Sequence, residues 1–183
     1  PHVKLFEEDR EQVNVFFIDV SGSLDFGSKN RSKRLLLIEL FATMAFSCTM
    51  NQDKIGVVFF SDKVVKYFEP KKGHKHVWHM LKFLIENHFD SASSDPISAF
   101  TFFQKTNWRK YRAFLFSDLT FSNTNKVIDA FKKVKKQNQA YVVKVYDELE
   151  SRVPSPGFYQ LVNAESGLST WVNGFSTKTK EEY

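Results

Sequence analysis

The apolar run Val15-Phe16-Phe17-Ile18 ends directly on Asp19-Val20-Ser21-Gly22-Ser23, and this junction constrains the chain more than any other feature. The run is short, β-branched or aromatic, and has no polar break, which predicts a buried central strand. The Asp-x-Ser-x-Ser motif then falls at the carboxyl end of that strand, where open α/β sheets bind their ligands. One carboxylate and two hydroxyls projecting alternately from a turn form a compact, oxygen-only ligand set. Such a set suits a hard, small dication, Mg²⁺ or Mn²⁺, that keeps several waters. The plain alternative is a serine-rich turn that caps the next helix.

Downstream, strands and helices alternate. Between Lys33 and Met50, the residues Leu36, Leu37, Leu40, Phe41, Met44 and Ala45 recur at intervals of three and four, predicting a helix that Asn51-Gln52-Asp53 ends. Ile55 to Phe60 reads as a second apolar strand, which Ser61-Asp62-Lys63 turns back into an edge strand from Val64 to Phe68. Pro70 to Gly73 reads as a loop and Val77 to Asn87 as a helix. A second loop carries Ser91, Ser93, Ser94 and Asp95 and closes in a helix start, with Ser94 or Asp95 as cap and Pro96 in the first turn. Tyr111 to Phe116 is a further buried strand that ends in Ser117-Asp118. Asn125 to Gln137 is an amphipathic helix, Ala140 to Tyr146 a strand, and Pro154 to Gly157 a loop. Phe158 to Asn163 and Leu168 to Asn173 suit a terminal hairpin. Strands alternating with helices imply parallel pairing and right-handed crossovers. The expected fold is therefore an α/β open, mostly parallel sheet with helices on both faces and one antiparallel edge strand. With no repeat or linker in view, residues 1–183 read as a single domain.

Three loops fall at one end of this sheet: the first with Asp19, Ser21 and Ser23, the second with the serines and Asp95, the third with Asp118. Together they can surround one dication. Two acids brought close repel unless a cation lies between them, so convergence of Asp19 and Asp118 calls for a metal. Asp118 has an ordinary alternative as the cap of the helix near Asn125. No His or Lys falls in the three segments, which leaves them without a general base.

Other clusters carry less. His74, His76 and His79 lack an accompanying acid or Cys and read as a solvated helix start. Glu7, Glu8, Asp9 and Glu11 read as a solvated charge run, and Asp25 as ordering its loop or facing solvent. Lys132, Lys133, Lys135 and Lys136 form a basic cluster, but Val127, Ile128, Phe131 and Val134 make the segment a half-buried helix with a wet face. The net charge of +5 permits an acidic partner and does not require nucleic acid, and no glycine-rich phosphate loop is present. Cys48 is the sole cysteine, which excludes a disulfide framework or cysteine metal site and favours a reducing, cytoplasmic compartment. It reads as core rather than nucleophile. Hydrophobic content of 42% with 20 Phe residues supports a large aromatic core. No apolar run is long enough to span a bilayer, and the chain opens with nothing like a signal peptide. Its start at Pro1 and its lysine-rich end suggest a segment of a longer protein, which other parts could tether to a membrane.

The motif and its order of landmarks resemble von Willebrand factor A domains with a metal-ion-dependent adhesion site. The resemblance is nearer to one bacterial branch of unassigned biochemical function, whose genes often lie beside those of MoxR-type AAA+ ATPases. It rests on Val3 to Glu11 before the first strand, Asp19 to Gly27 as the metal loop, and Lys54 to Asp62 as second strand and turn. Ser117-Asp118 and the late strand Tyr141 to Asp147, followed by Pro154, complete it. The resemblance implies a von Willebrand A-like, Rossmann-like fold in which Asp19, Ser21, Ser23, Ser94 and Asp118 ligate one Mg²⁺ or Mn²⁺. Ser94 stands where the family usually has Thr, with Ser93 as competitor. The implied function is metal-dependent protein recognition without catalysis, in which an acidic residue of a partner, such as a MoxR-type AAA+ ATPase, completes the coordination. The pair would act in protein assembly, maturation or envelope stress. A metal-dependent hydrolase or phosphoryl-transfer enzyme and a metal-free scaffold are the alternatives.

Overall fold

A computed structural model describes residues 11–27, 32–89, 91, 93–147, 150, 158–162 and 169–173. Its main sheet has the strand order β3-β2-β1-β4-β5. Here β1 is Val13–Asp19, β2 Lys54–Phe60, β3 Val64–Lys71, β4 Arg112–Ser117 and β5 Gln139–Lys144. β1 pairs in parallel with β2 and β4, β4 pairs in parallel with β5, and only β3 is antiparallel, returning from β2 through the expected hairpin. The helices are α1 (Lys33–Met50), α2 (His74–Glu86), α3 (Pro96–Gln104) and α4 (Thr124–Gln137). β6 (Phe158–Val162) and β7 (Ser169–Asn173) form a separate antiparallel pair. The residues between them, those before Glu11 and the loop at Pro154 lie outside the described residues.

β1 is buried on both faces, so its alternating side chains build two cores. Phe16 and Ile18 pack with Leu37, Phe41 and Ala45 of α1 and with Val77, Met80, Leu81 and Leu84 of α2. Val15 and Phe17 pack on the other face with Ala99, Phe100 and Phe103 of α3 and Val134 of α4. Aromatic rings meet across these layers: Phe16 lies edge-on to Phe41, stacks on Phe114 and tilts against Phe116, while Phe17 meets Phe100 and Phe103 edge-on. Edge and offset geometries suit the ring quadrupoles and add to area burial.

Local signals account for the helix starts. Ser32 accepts from the Leu35 N–H, Asp95 from the Ile97 N–H and Asn123 from the Lys126 N–H, so α1, α3 and α4 each begin on a side-chain cap. Pro96 occupies the first turn of α3, where its missing N–H costs nothing. Asp95, not Ser94, is therefore the cap.

Some boundaries and faces differ from expectation. α1 buries Lys33, Leu37, Phe41, Ala45 and Thr49, a strict every-fourth-residue row, and Leu36 stays 36% exposed. β3 runs on through Pro70 and Lys71, which the sequence assigns to a loop. An edge strand tolerates this proline because no further strand needs its N–H. β5 stops at Lys144, and Ile128 of α4 is exposed, leaving Val127 and Val134 to face the sheet. His76 is half-buried and its Nε2 donates to the Ile55 carbonyl at 3.0 Å, so this ring anchors α2 to β2 rather than standing in solvent. Cys48 packs against the α1–α2 core, and burial pushes its thiol up to about 11.

Phe16→Ala tests how far the core under α1 and α2 depends on β1. Large-to-small aromatic changes in a close-packed core cost about 3–5 kcal/mol, so the urea midpoint should fall by the corresponding amount with the slope unchanged. A loss of about 2 kcal/mol or less would show that the ring stack adds little beyond ordinary surface burial.

Candidate metal-binding site at the sheet crevice

After β1 the chain turns toward β2, and after β4 it turns toward β5. The carboxyl ends of β1 and β4 are thus the topological switch point, where α/β sheets open a crevice. Asp19 ends β1 and Asp118 follows the last residue of β4. Asp19 is fully buried and Asp118 nearly so.

Asp19 gathers the loops. Its Oδ1 accepts the Ser21 N–H at 2.9 Å, and its Oδ2 accepts the Ser94 hydroxyl at 2.6 Å and the Ser117 hydroxyl at 2.8 Å. Ser21 leads into a short 3-10 turn, Gly22–Asp25, without capping it; its Oγ instead lies 3.1 Å from Ser23 Oγ. The Gly22 N–H donates to the Ser91 carbonyl and the Val20 N–H to the Phe60 carbonyl, which ties the first loop to the second and to β2. The second loop is held in turn by the Asp95 N–H on the Ser61 carbonyl. Of its serines, Ser94 reaches Asp19, whereas the Ser93 carbonyl receives the Ser91 hydroxyl.

The third loop holds a feature absent from the sequence reading. Lys33, the first residue of α1, is 3% exposed, and its Nζ lies 2.8 Å from Asp118 Oδ2 and 2.5 Å from Glu150 Oε1. Asp118 Oδ1 accepts the Thr120 N–H, and the intervening Leu119 sits at φ 64° with its N–H on Ser117 Oγ. A left-handed leucine is strained, and such strain persists only where neighbouring contacts over-determine it. Asp118 does not cap α4; Asn123 does. No lysine falls in the three loop segments, as read from the sequence, but Lys33 reaches the site from the start of α1. Its signal was its place four residues before Leu37 in the buried row of α1.

The two carboxylates are tuned in opposite directions. Burial pushes Asp19 above the usual carboxylate range, against the pull of the hydrogen bonds from Ser94, Ser21 and Ser117. Burial acts on Asp118 too, but the Lys33 hydrogen bond, the Thr120 N–H, the Lys33 charge and the Ser23 hydroxyl together hold it below that range. Five expected residues, Asp19, Ser21, Ser23, Ser94 and Asp118, thus converge, joined by Ser117 and Lys33. The donor set fits a small dication. Its oxygen-only make-up is what a hard dication takes, and the Ser21 and Ser23 oxygens lie 3.1 Å apart, within hydrogen-bond distance of each other. Among the described residues no group of three or more His, Cys, Asp or Glu gathers for a metal, so hydroxyls dominate this set.

The sheet order, the single antiparallel edge and the crevice define a von Willebrand A-like α/β domain. Solved structures agree in fold. BatB from Bacteroides thetaiotaomicron superposes with a TM-score of 0.59 at 13% identity, over 93% of this chain and 84% of its own. The SpRpn10 VWA domain gives 0.58 at 12% identity, over 74% of this chain and 75% of its own. The sequence matches the family described as "Protein of unknown function DUF58" over residues 1–183, and the chain belongs to that family. It is 24% identical over 170 residues to the uncharacterized protein Rv1480 of Mycobacterium tuberculosis, covering 92% of this chain and 53% of that protein. The chain thus spans about half the length of the curated relatives it matches. Among the described residues no helix is long and apolar enough to cross a membrane.

The Lys33–Asp118 pair makes a stability prediction. Removing one partner of a buried pair leaves the other charge uncompensated, at about 3–5 kcal/mol. Glu150 remains beside Lys33, so Asp118→Asn should cost less, about 2–3 kcal/mol at neutral pH. Asp118 has a folded pKa below its unfolded value near about 4. Its contribution is therefore complete above that range and disappears as pH falls through the lowered value. Urea midpoints of wild type and Asp118→Asn should converge on acidification; a gap of constant size down to acid pH would show that the pair's charge is not what stabilises the fold.

Proposed function

We propose that this domain is a divalent-metal-dependent protein-recognition module. The observation that carries the reading is the meeting on Asp19 of the Ser21 N–H from the first loop, the Ser94 hydroxyl from the second and the Ser117 hydroxyl from the end of β4, at the sheet's switch point. Asp19, Ser21, Ser23, Ser94 and Asp118 would hold one Mg²⁺ or Mn²⁺. When bound, the ion supplies an open coordination position that a partner carboxylate can take. The chain's own residues do the rest: Asp19 aligns the serine hydroxyls, and the backbone ties between loops fix their spacing before any ligand arrives. The family resemblance names a MoxR-type AAA+ ATPase as the partner class, acting with this chain in assembly or maturation. The positive net charge of +5 favours encounter with an acidic surface.

A hydrolase reading gains little from the new lysine. Lys33 Nζ is engaged by the Asp118 and Glu150 carboxylates rather than presented to a substrate.

Calorimetry with Mg²⁺ and Mn²⁺ should detect one site. Changes to outer-shell partners cost about 10–100-fold in metal affinity, so Asp19→Ala, which removes the organising carboxylate itself, should weaken binding by about 100-fold or more. Unchanged binding in that variant would refute the assignment. Partner capture should fall on chelation and in Ser21→Ala, while Lys132→Ala and Lys136→Ala, exposed on α4, should leave it intact. Capture that needs those lysines and ignores chelation would replace the metal bridge with a purely electrostatic contact.

A further inference from the structure

We infer that Lys33 is a tethered cation that competes with the dication for Asp118, and that Glu150 receives it when the metal binds. The inference rests on the metal reading above. Three observations carry it. First, the Lys33 ammonium lies 2.8 Å from Asp118 Oδ2, so it uses a carboxylate oxygen that the metal would need. Second, the lysine is built into the first turn of α1, directly after the first loop, and its own N–H donates to the Phe26 carbonyl of that loop. Its side chain is therefore delivered to the site by the same segment that delivers Ser21 and Ser23. Third, the ammonium bridges two carboxylates of unlike setting: Asp118 is 3% exposed at its side chain and Glu150 is 37% exposed.

This asymmetry gives the ammonium somewhere to go. Moving off Asp118 toward Glu150 keeps one ion pair and shifts the charge toward water, where an ammonium is better solvated. Asp118 is then free, and the arriving dication brings one more positive charge to it than the lysine takes away. Without metal, Lys33 supplies the positive charge beside the buried Asp118 carboxylate. The site is thus closed by its own side chain and opens only to an ion that outcompetes it. Two consequences follow. Affinity for the dication is set below what the oxygen ligands alone would give, and metal loading changes the charge presented at Glu150 on the rim.

The test is calorimetric titration of Mg²⁺ and Mn²⁺ into wild type, Lys33→Met and Glu150→Gln. Lys33→Met removes the competitor and keeps the bulk, so it should bind the dication about tenfold more tightly or better. Glu150→Gln removes the receiving carboxylate, so it should bind about threefold more weakly or worse. Wild type that binds metal, with Lys33→Met no tighter, overturns the competition and leaves the metal reading standing. Failure of both wild type and Lys33→Met to bind overturns the metal reading and this inference with it. Binding by Lys33→Met alone upholds the competition and makes the ammonium, not a dication, the resident charge of the unaltered chain. If Lys33→Met does not fold, Glu150→Gln decides: its side chain is partly exposed, and an unchanged affinity overturns the transfer.

Discussion

A carboxylate with no exposed surface ends the central strand of this domain, and the neighbouring loops are arranged to satisfy it. An unpaired charge at Asp19 would be costly in so dry a place. One N–H and two hydroxyls meet it, and they come from the first loop, the second loop and the end of β4. The same three contacts therefore serve the fold and the site. They join segments far apart in sequence, and they place the Ser21 and Ser23 hydroxyls side by side. Desolvation still outweighs these hydrogen bonds and keeps the carboxyl above its usual range. The residual cost is what an added cation would relieve.

Asp118 shows the complementary solution. It lies at the same end of the sheet and is nearly as buried, but the chain furnishes its counter-charge covalently, through Lys33. Buried ion pairs often stabilise no more than apolar residues of the same size, because desolvation offsets attraction. Their value lies in what they specify. Here the pair specifies where α1 begins relative to β4, two elements without direct strand pairing. The strained backbone at Leu119 belongs to the same arrangement, since it lets Ser117 face Asp19 while Asp118 faces Lys33.

Much of this was legible in the sequence because it depended on local pattern. The four-residue apolar run defined β1, the turn at Ser61 to Lys63 defined the hairpin, and the helix from Lys33 to Met50 has the expected limits. The order of loops at one sheet end followed from strand–helix alternation, and the five residues that the family resemblance picks out of those loops lie together. What escaped was non-local or depended on a face. Leu36 fits a three-and-four spacing as well as Leu37 does, and only the packing against β1 and α2 shows that the every-fourth row is the buried one. Lys33 heads that row, but a lysine at a helix start reads as solvated until a buried carboxylate is found facing it. His76 escaped for the same reason, since its acceptor is a backbone carbonyl on another element. Pro70 reads as a strand end because proline cannot donate to a ladder, and only the pairing of Lys71 with Ile55 shows that this edge strand runs past it.

The cores also restrict how such a site can respond. Both faces of β1 are filled by interlocked aromatic rings, and close-packed interiors do not deform continuously. The strand ends that carry Asp19, Ser117 and Asp118 are therefore fixed relative to one another. Domain-scale closure has no soft layer to act through among the described elements. Glu150, partly exposed, follows β5 rather than lying in it, whereas the lysine that reaches it is buried. If metal binding displaces Lys33 as inferred, the change is an exchange of side-chain charge above a close-packed sheet. That is a form of regulation in which the fold changes little and the electrostatic surface changes much.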